Sequence, residues 1–161
     1  MALQNNPATP AVFIDAPRDS NLQLLHLYWS AKRGPRRMPA RADINPSEIR
    51  AQLPYVMLWT VDGDEGAFTI RLVGEHVVRF VGENNTGRPA THGMPPDAAE
   101  SMRNVLGQVA RLAEPRFRIG KAFWKPDKSF CDYEACFLPL SADGETVNMI
   151  FGGARFDFRA L

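Results

Sequence analysis

Asp132 and Glu134 stand two residues apart in one expected strand, and paired carboxylates are a side-chain arrangement that can carry general acid–base chemistry. At neutral pH that chemistry requires one carboxyl to be desolvated. Their face of the strand lies opposite the apolar one and reads as wet. Arg116 and Arg118 on the preceding segment offer ordinary cross-strand charge pairs instead. Cys131 and Cys136 have an odd separation, which puts them on opposite faces of the same strand and argues against a disulfide or a shared metal. His26, His76 and His92 are too far apart for a zinc spacing. There is no P-loop or dinucleotide-type glycine pattern, and no Ser/His/Asp set converges. The reading is non-catalytic.

Lys32, Arg33, Arg36, Arg37 and Arg41 form the one basic cluster. It could hold a phosphate or another anion. No aromatic residues interleave with it as nucleic-acid platforms require, so the plainer reading is a helix terminus and a loop whose arginines anchor carbonyls or nearby carboxylates. The formal net charge of +1 removes bulk electrostatics as a reason to expect nucleic acid. No apolar run reaches the ~18 residues of a membrane span, and residues 1–18 lack a basic start followed by a hydrophobic block. The expectation is a cytoplasmic chain with neither a nucleic-acid nor a membrane partner. A length of 161 residues with 45% hydrophobic side chains supports one domain with a small appendage.

The elements that must position these residues follow from periodicity. After a tail over 1–18, Ser20 to Gln23 fits a capping box, and Leu22, Leu25 and Trp29 form the stripe of a helix that Gly34-Pro35 ends. Asn45-Pro46-Ser47-Glu48 starts a short helix that closes at Leu53-Pro54. Tyr55–Val61 and Phe68–Val73 read as a hairpin around the turn Asp62–Gly66. Gly74 breaks the second strand, a short amphipathic helix follows, and Gly82 closes it as a left-handed cap. Met102, Val105, Leu106, Val109 and Leu112 mark a long helix over 96–113. Arg116–Trp124, Phe130–Leu140 and Val147–Phe158 are the closing strands. Asp143-Gly144 is a hairpin signal and Gly152-Gly153 a place for close backbone approach. This order is that of an α+β domain.

The stretch Arg71 to Gly82 with Glu83 to Arg88, a strand, a glycine, a short helix and a Thr-Gly-Arg turn, resembles the middle of a PAS domain. Pro39-Ala40-Arg41, Leu72-Val73-Gly74, Thr86-Gly87-Arg88 and Leu138-Pro139-Leu140, in this order, are similar to one subfamily of compact bacterial PAS proteins. The resemblance covers about residues 20 to 158. It implies a five-stranded antiparallel sheet in the order 2-1-5-4-3 with helices on one face, here with an extra N-terminal helix. The division is then a flexible tail over 1–18, a helical cap over 19–54 and a sensor domain over 55–158.

The resemblance also implies a ligand pocket between sheet and helices, and signalling by ligand-induced shifts or dimer rearrangement. The pocket is expected from Phe117, Ile119, Cys131, Tyr133 and Phe137 on the sheet, opposed by Phe80, Met102 and Leu106, with His76 and Tyr133 as its polar groups. Flavin photosensors of the family carry a cysteine after the short helices, where Asn84–Arg88 has none. Haem sensors take a histidine from the long helix, which has none either. The cofactor is therefore left unknown. Putting Phe117 and Ile119 on the pocket face demands an odd connection or a bulge near Lys125–Ser129. Residues Leu22 to Ala31 expose too much apolar surface to stand in water, so the helix should dock at the far sheet face, alone or as a dimer contact. The function expected is small-molecule sensing passed on to a partner protein, from a homodimer. The alternatives are an interaction module with a filled core and no ligand, or an enzyme on a similar α+β fold.

Overall fold

The alternating segments become strands of one antiparallel sheet in the computed structural model, which describes residues 11–63 and 67–157. The strands are β1 (Val12–Ile14), β2 (Val56–Asp62), β3 (Ala67–Val73), β4 (Arg116–Lys121), β5 (Asp132–Leu140) and β6 (Met149–Phe156). They lie in the order β1-β4-β5-β6-β2-β3. Without β1, and read from the β3 end, this is the expected five-stranded order 2-1-5-4-3. The sixth strand is a correction: Val12, Phe13 and Ile14 pair with Ile119, Arg118 and Phe117, although they belong to the stretch read as a tail. Residues 1–10 of that tail, residues 64–66 of the Asp62–Gly66 turn and Phe158 lie outside the described residues.

Among the described residues, three α-helices accompany the sheet: α1 (Ser20–Arg33), α2 (Glu75–Val81) and α3 (Pro96–Leu112). A 3₁₀ segment over Pro46–Tyr55 opens on the Asn45 side chain, which accepts from the Ser47 N–H, with proline at its first position. The cap of α1 is one residue earlier than its sequence suggests. Asp19 accepts from the N–H groups of Asn21 and Leu22 at 2.9 and 3.1 Å, and Gln23 donates to the Pro17 carbonyl. A carboxylate at that position is favoured by the helix dipole as well. Gly82 ends α2 at φ 95°, where a side chain would be strained.

The sheet carries a core on each face. α2 and α3 pack on one side and α1 on the other, so the far face is covered by the chain's own helix. Leu22 and Leu25 are fully buried and Trp29 is nearly so. Gly153 makes this seat possible. A Cβ there would lie 3.1 Å from Leu25 Cδ1, 3.2 Å from Leu22 Cδ2 and 2.6 Å from the Tyr55 carbonyl oxygen. Leu24 and Leu27 point outward, 49% and 64% exposed.

The second core overturns the expected register. Ile119 pairs opposite Glu134, Arg118 opposite Ala135 and Phe117 opposite Cys136. The connection between Lys121 and Asp132, residues 122–131, is even-numbered, so Phe117 and Ile119 share a face with Glu134 and not with Tyr133. Phe117 is buried beneath α1, where its ring meets the His26 ring edge-on at 4.8 Å. Alternation tells which residues share a face, and the apolar face of β4 belongs to the α1 side.

Candidate functional site

A cavity of about 100 Å³ remains between the sheet and the α2–α3 side. Its base is formed by Trp59 of β2, Ala135 and Phe137 of β5, and Ala154 and Phe156 of β6, with the Trp59 and Phe137 rings stacked at 5.4 Å. Val77 and Val81 of α2 and Met102 of α3 close its sides. Glu83, Asn85, His92 and Lys125 stand among its polar lining residues.

The chain between α2 and α3 is held there by the edge of β3. Gly87 donates to the Ile70 carbonyl, Ile70 to that of Arg88, and Ala90 to that of Phe68, at 2.7 to 2.9 Å. Asn84 fixes the turn by accepting from both the N–H and the hydroxyl of Thr86. The Thr-Gly-Arg motif is thus an edge staple that carries one wall of the cavity. Lys125 and Lys128 donate to the carbonyls of Val81 and Phe80 at 2.6 and 2.5 Å. Their charges sit at the negative end of α2, where a cation is favoured. His92 lies 3.4 Å from Glu83.

Arg118 is the buried charge of this region, with 5% of its surface exposed. Its Nη1 donates to the Ser101 hydroxyl at 3.0 Å and to the Ser101 carbonyl at 3.4 Å. The guanidinium lies over the Phe137 ring at 5.4 Å and the Tyr133 ring at 5.9 Å. Its Nε is closed off and has no hydrogen-bond partner among the described residues. Burial lowers its pKa, and the same burial raises that of the Tyr133 phenol, opposed by the nearby guanidinium.

Of the residues expected to form the pocket, Met102, Tyr133 and Phe137 line the cavity. Leu106 and Cys131 are buried without lining it. Phe80 is one layer aside, stacked on Phe156 at 3.8 Å and 5°. His76 is also aside: its Nε2 accepts from the Phe156 N–H at 3.0 Å, and its ring lies 4.8 Å from that of Tyr55. Desolvation first, then the charges of Arg155 and Arg79, holds the His76 pKa down to about 4. Phe117 and Ile119 are on the other face, as their register requires. Sequence reasoning missed Arg118 and Trp59. Arg118 carried a signal, since it alternates with Phe117 and Ile119 and had to take whichever face they did not.

The other chemistry-bearing groups have structural employment. Glu134 accepts from the N–H groups of Arg18 and Asp19 at 2.8 and 3.0 Å, just ahead of α1. Asp132 pairs with Lys121 at 2.8 Å, and Arg116 lies 3.7 Å from Glu114. The expected pairing of these carboxylates with Arg116 and Arg118 is therefore corrected. In the basic cluster, Lys32 pairs with Glu48 and Arg36 with Asp43, while Arg37 and Arg41 donate to the carbonyls of Leu112 and Ile44. Both cysteines are free and buried, and burial pushes the Cys136 thiol up to about 12.

No described helix is long and apolar enough to cross a membrane. A family model for the PAS domain matches residues 18–154, a span that runs from the residue before the Asp19 cap through most of β6. No curated protein matches the chain.

Proposed function

Because the chain belongs to the PAS domain family, we propose that it is a sensory or regulatory module that admits a small molecule to the cavity beside α3. It passes the resulting change to a partner protein and catalyses no reaction. The observation that carries this reading is the cavity itself. Interiors are ordinarily packed like organic crystals, yet about 100 Å³ stays open among Trp59, Met102, Tyr133 and Phe137. An interaction module with a filled core would have that space closed. A concave, mostly apolar site with a few polar groups is the usual form of a small-molecule site.

The path of the signal runs through the sheet. β5 and β6 carry cavity residues on one face and seat α1 on the other through Cys136 and Gly153. A ligand that shifts these strands loads α1, whose outward Leu24 and Leu27 are placed for a second copy of the chain. A homodimer in the cytoplasm is thus part of the proposal. The decisive measurement is the native mass of the purified protein beside its denatured mass. A retained small molecule and a two-chain species are expected. A bare chain whose Tm no small-molecule library raises would refute the sensor reading. Leu27→Asp should give a folded monomer in light scattering, and an unaltered dimer would refute the role given to α1.

A further inference from the structure

Among the described residues, Arg118 is the one charged side chain that is buried. A guanidinium does not escape burial by losing its proton, and buried charges are ordinarily paired. Arg118 has no carboxylate in ion-pair contact among the described residues. Ser101 engages Nη1, and the rings of Phe137 and Tyr133 offer their faces. Among the described residues Nε has no hydrogen-bond partner, and Nη2 forms no hydrogen bond. Nε is enclosed, so the donor capacity left to an incoming carboxylate is that of the Nη2 group.

We propose, building on the reading of the cavity as a ligand site, that its ligand is a small monocarboxylate with a short apolar tail, bound through the guanidinium of Arg118, which lines the cavity. The protein's own acids do not fill this role. Asp97 and Glu100 line a groove between α3 and the β1 segment that also reaches Arg118, but neither pairs with it. Glu83 of the cavity wall stands 3.4 Å from His92, whereas Asp97 and Glu100 have no ion pair among the described residues and would repel an anion arriving by the groove. A cavity of about 150 Å³ holds benzene. On that scale the 100 Å³ here suits a ligand of roughly four non-hydrogen atoms, so the shortest acids should bind best. Trp59, Met102 and Phe137 offer the tail an apolar wall. A second carboxylate would lack a free cation, because the Lys125 ammonium is engaged by the Val81 carbonyl.

The test is calorimetric titration of the full chain with acetate, propionate, butyrate and valerate, each beside its primary amide and its alcohol at neutral pH. At least one acid should bind about ten-fold or more tightly than its own amide, as a charge-assisted pair predicts. Arg118→Met should abolish that gap, and Arg118→Lys should retain part of it. Amides or alcohols that match the acids would overturn carboxylate recognition and leave the ligand site standing. No binding by any member of the three series, with Tm unmoved, would overturn the monocarboxylate, while the ligand site itself stands or falls with the native mass and the small-molecule library. Should Arg118→Met fail to fold, the acid–amide comparison on the native protein decides the matter alone.

Discussion

Replacing Trp29 with phenylalanine tests whether α1 is built into the sheet or merely lies on it. Trp29 is 2% exposed, and its indole Nε1 donates to the Pro139 carbonyl at 2.8 Å. The pairing of β4 with β5 ends at Phe137, two residues before Pro139. The indole therefore completes an edge that β4 leaves open. Phenylalanine would strand that carbonyl, at a cost of about 1–3 kcal/mol for a buried unsatisfied group. The smaller ring adds about 1 kcal/mol for the space it vacates. The sum, about 2–4 kcal/mol, corresponds to a Tm lower by roughly 4–16 °C for a domain of this size.

The assay is thermal or urea unfolding followed by far-UV circular dichroism and by fluorescence. Both probes should move together, because the helix and the sheet share a core and unfold as one unit. A Tm within 1 °C of the parent would refute the reasoning. So would an early, separate loss of helix, which would make residues 19–54 an independent cap.

Three other outcomes follow from the same geometry. Gly153→Ala should destabilise, since its Cβ would lie 2.6 Å from the Tyr55 carbonyl oxygen, whereas Gly107→Ala should stabilise by up to about 1 kcal/mol because its Cβ meets only the flexible end of Arg111; equal Tm shifts for the two would contradict this. The unfolded chain protonates His76 near 6.5 and the folded chain only near about 4. Its contribution is thus full above pH 6.5 and lost as pH falls from there through 4, about 1–2 kcal/mol after allowing for solvent screening of a half-buried ring. His76→Gln should flatten this part of the stability–pH curve, and an unchanged curve would count against it. Cys136, fully buried with its thiol pushed up to about 12, should resist a thiol reagent in the native protein and react on denaturation.

Much of this fold is written locally. The glycine and proline positions, the Asn45-Pro46 start, the Gly82 cap and the spacing of Leu106 and Val109 each follow from backbone chemistry or from one helix period. Those elements lie where their patterns put them. Val12–Ile14 was harder to read because a three-residue edge strand has no period to detect, and its partner, β4, is a hundred residues away. The motifs that carry the family resemblance also meet in space. Pro39 accepts from the Ser141 N–H, next to the Pro139 carbonyl that Trp29 occupies. Pro-Ala-Arg and Leu-Pro-Leu are thus two sides of one contact at the end of β5, invisible to a reading that takes segments singly.

The site was less legible for a single reason with a physical origin. A strand pattern such as Phe117-Arg118-Ile119 assigns two faces without saying which is which, and the usual assumption sends the arginines to water. That assumption holds for a sheet with one wet face. Here α1 covers the far side, so both faces of β4 are interior and one of them must take a charge. Burying Phe117 under α1 forces Arg118 into the core beside the cavity, where its hydrogen bonds among the described residues run to Ser101. The N-terminal helix therefore does more than seal the sheet. By burying Phe117 on its own side, it places the Arg118 guanidinium in the lining of the cavity on the opposite face.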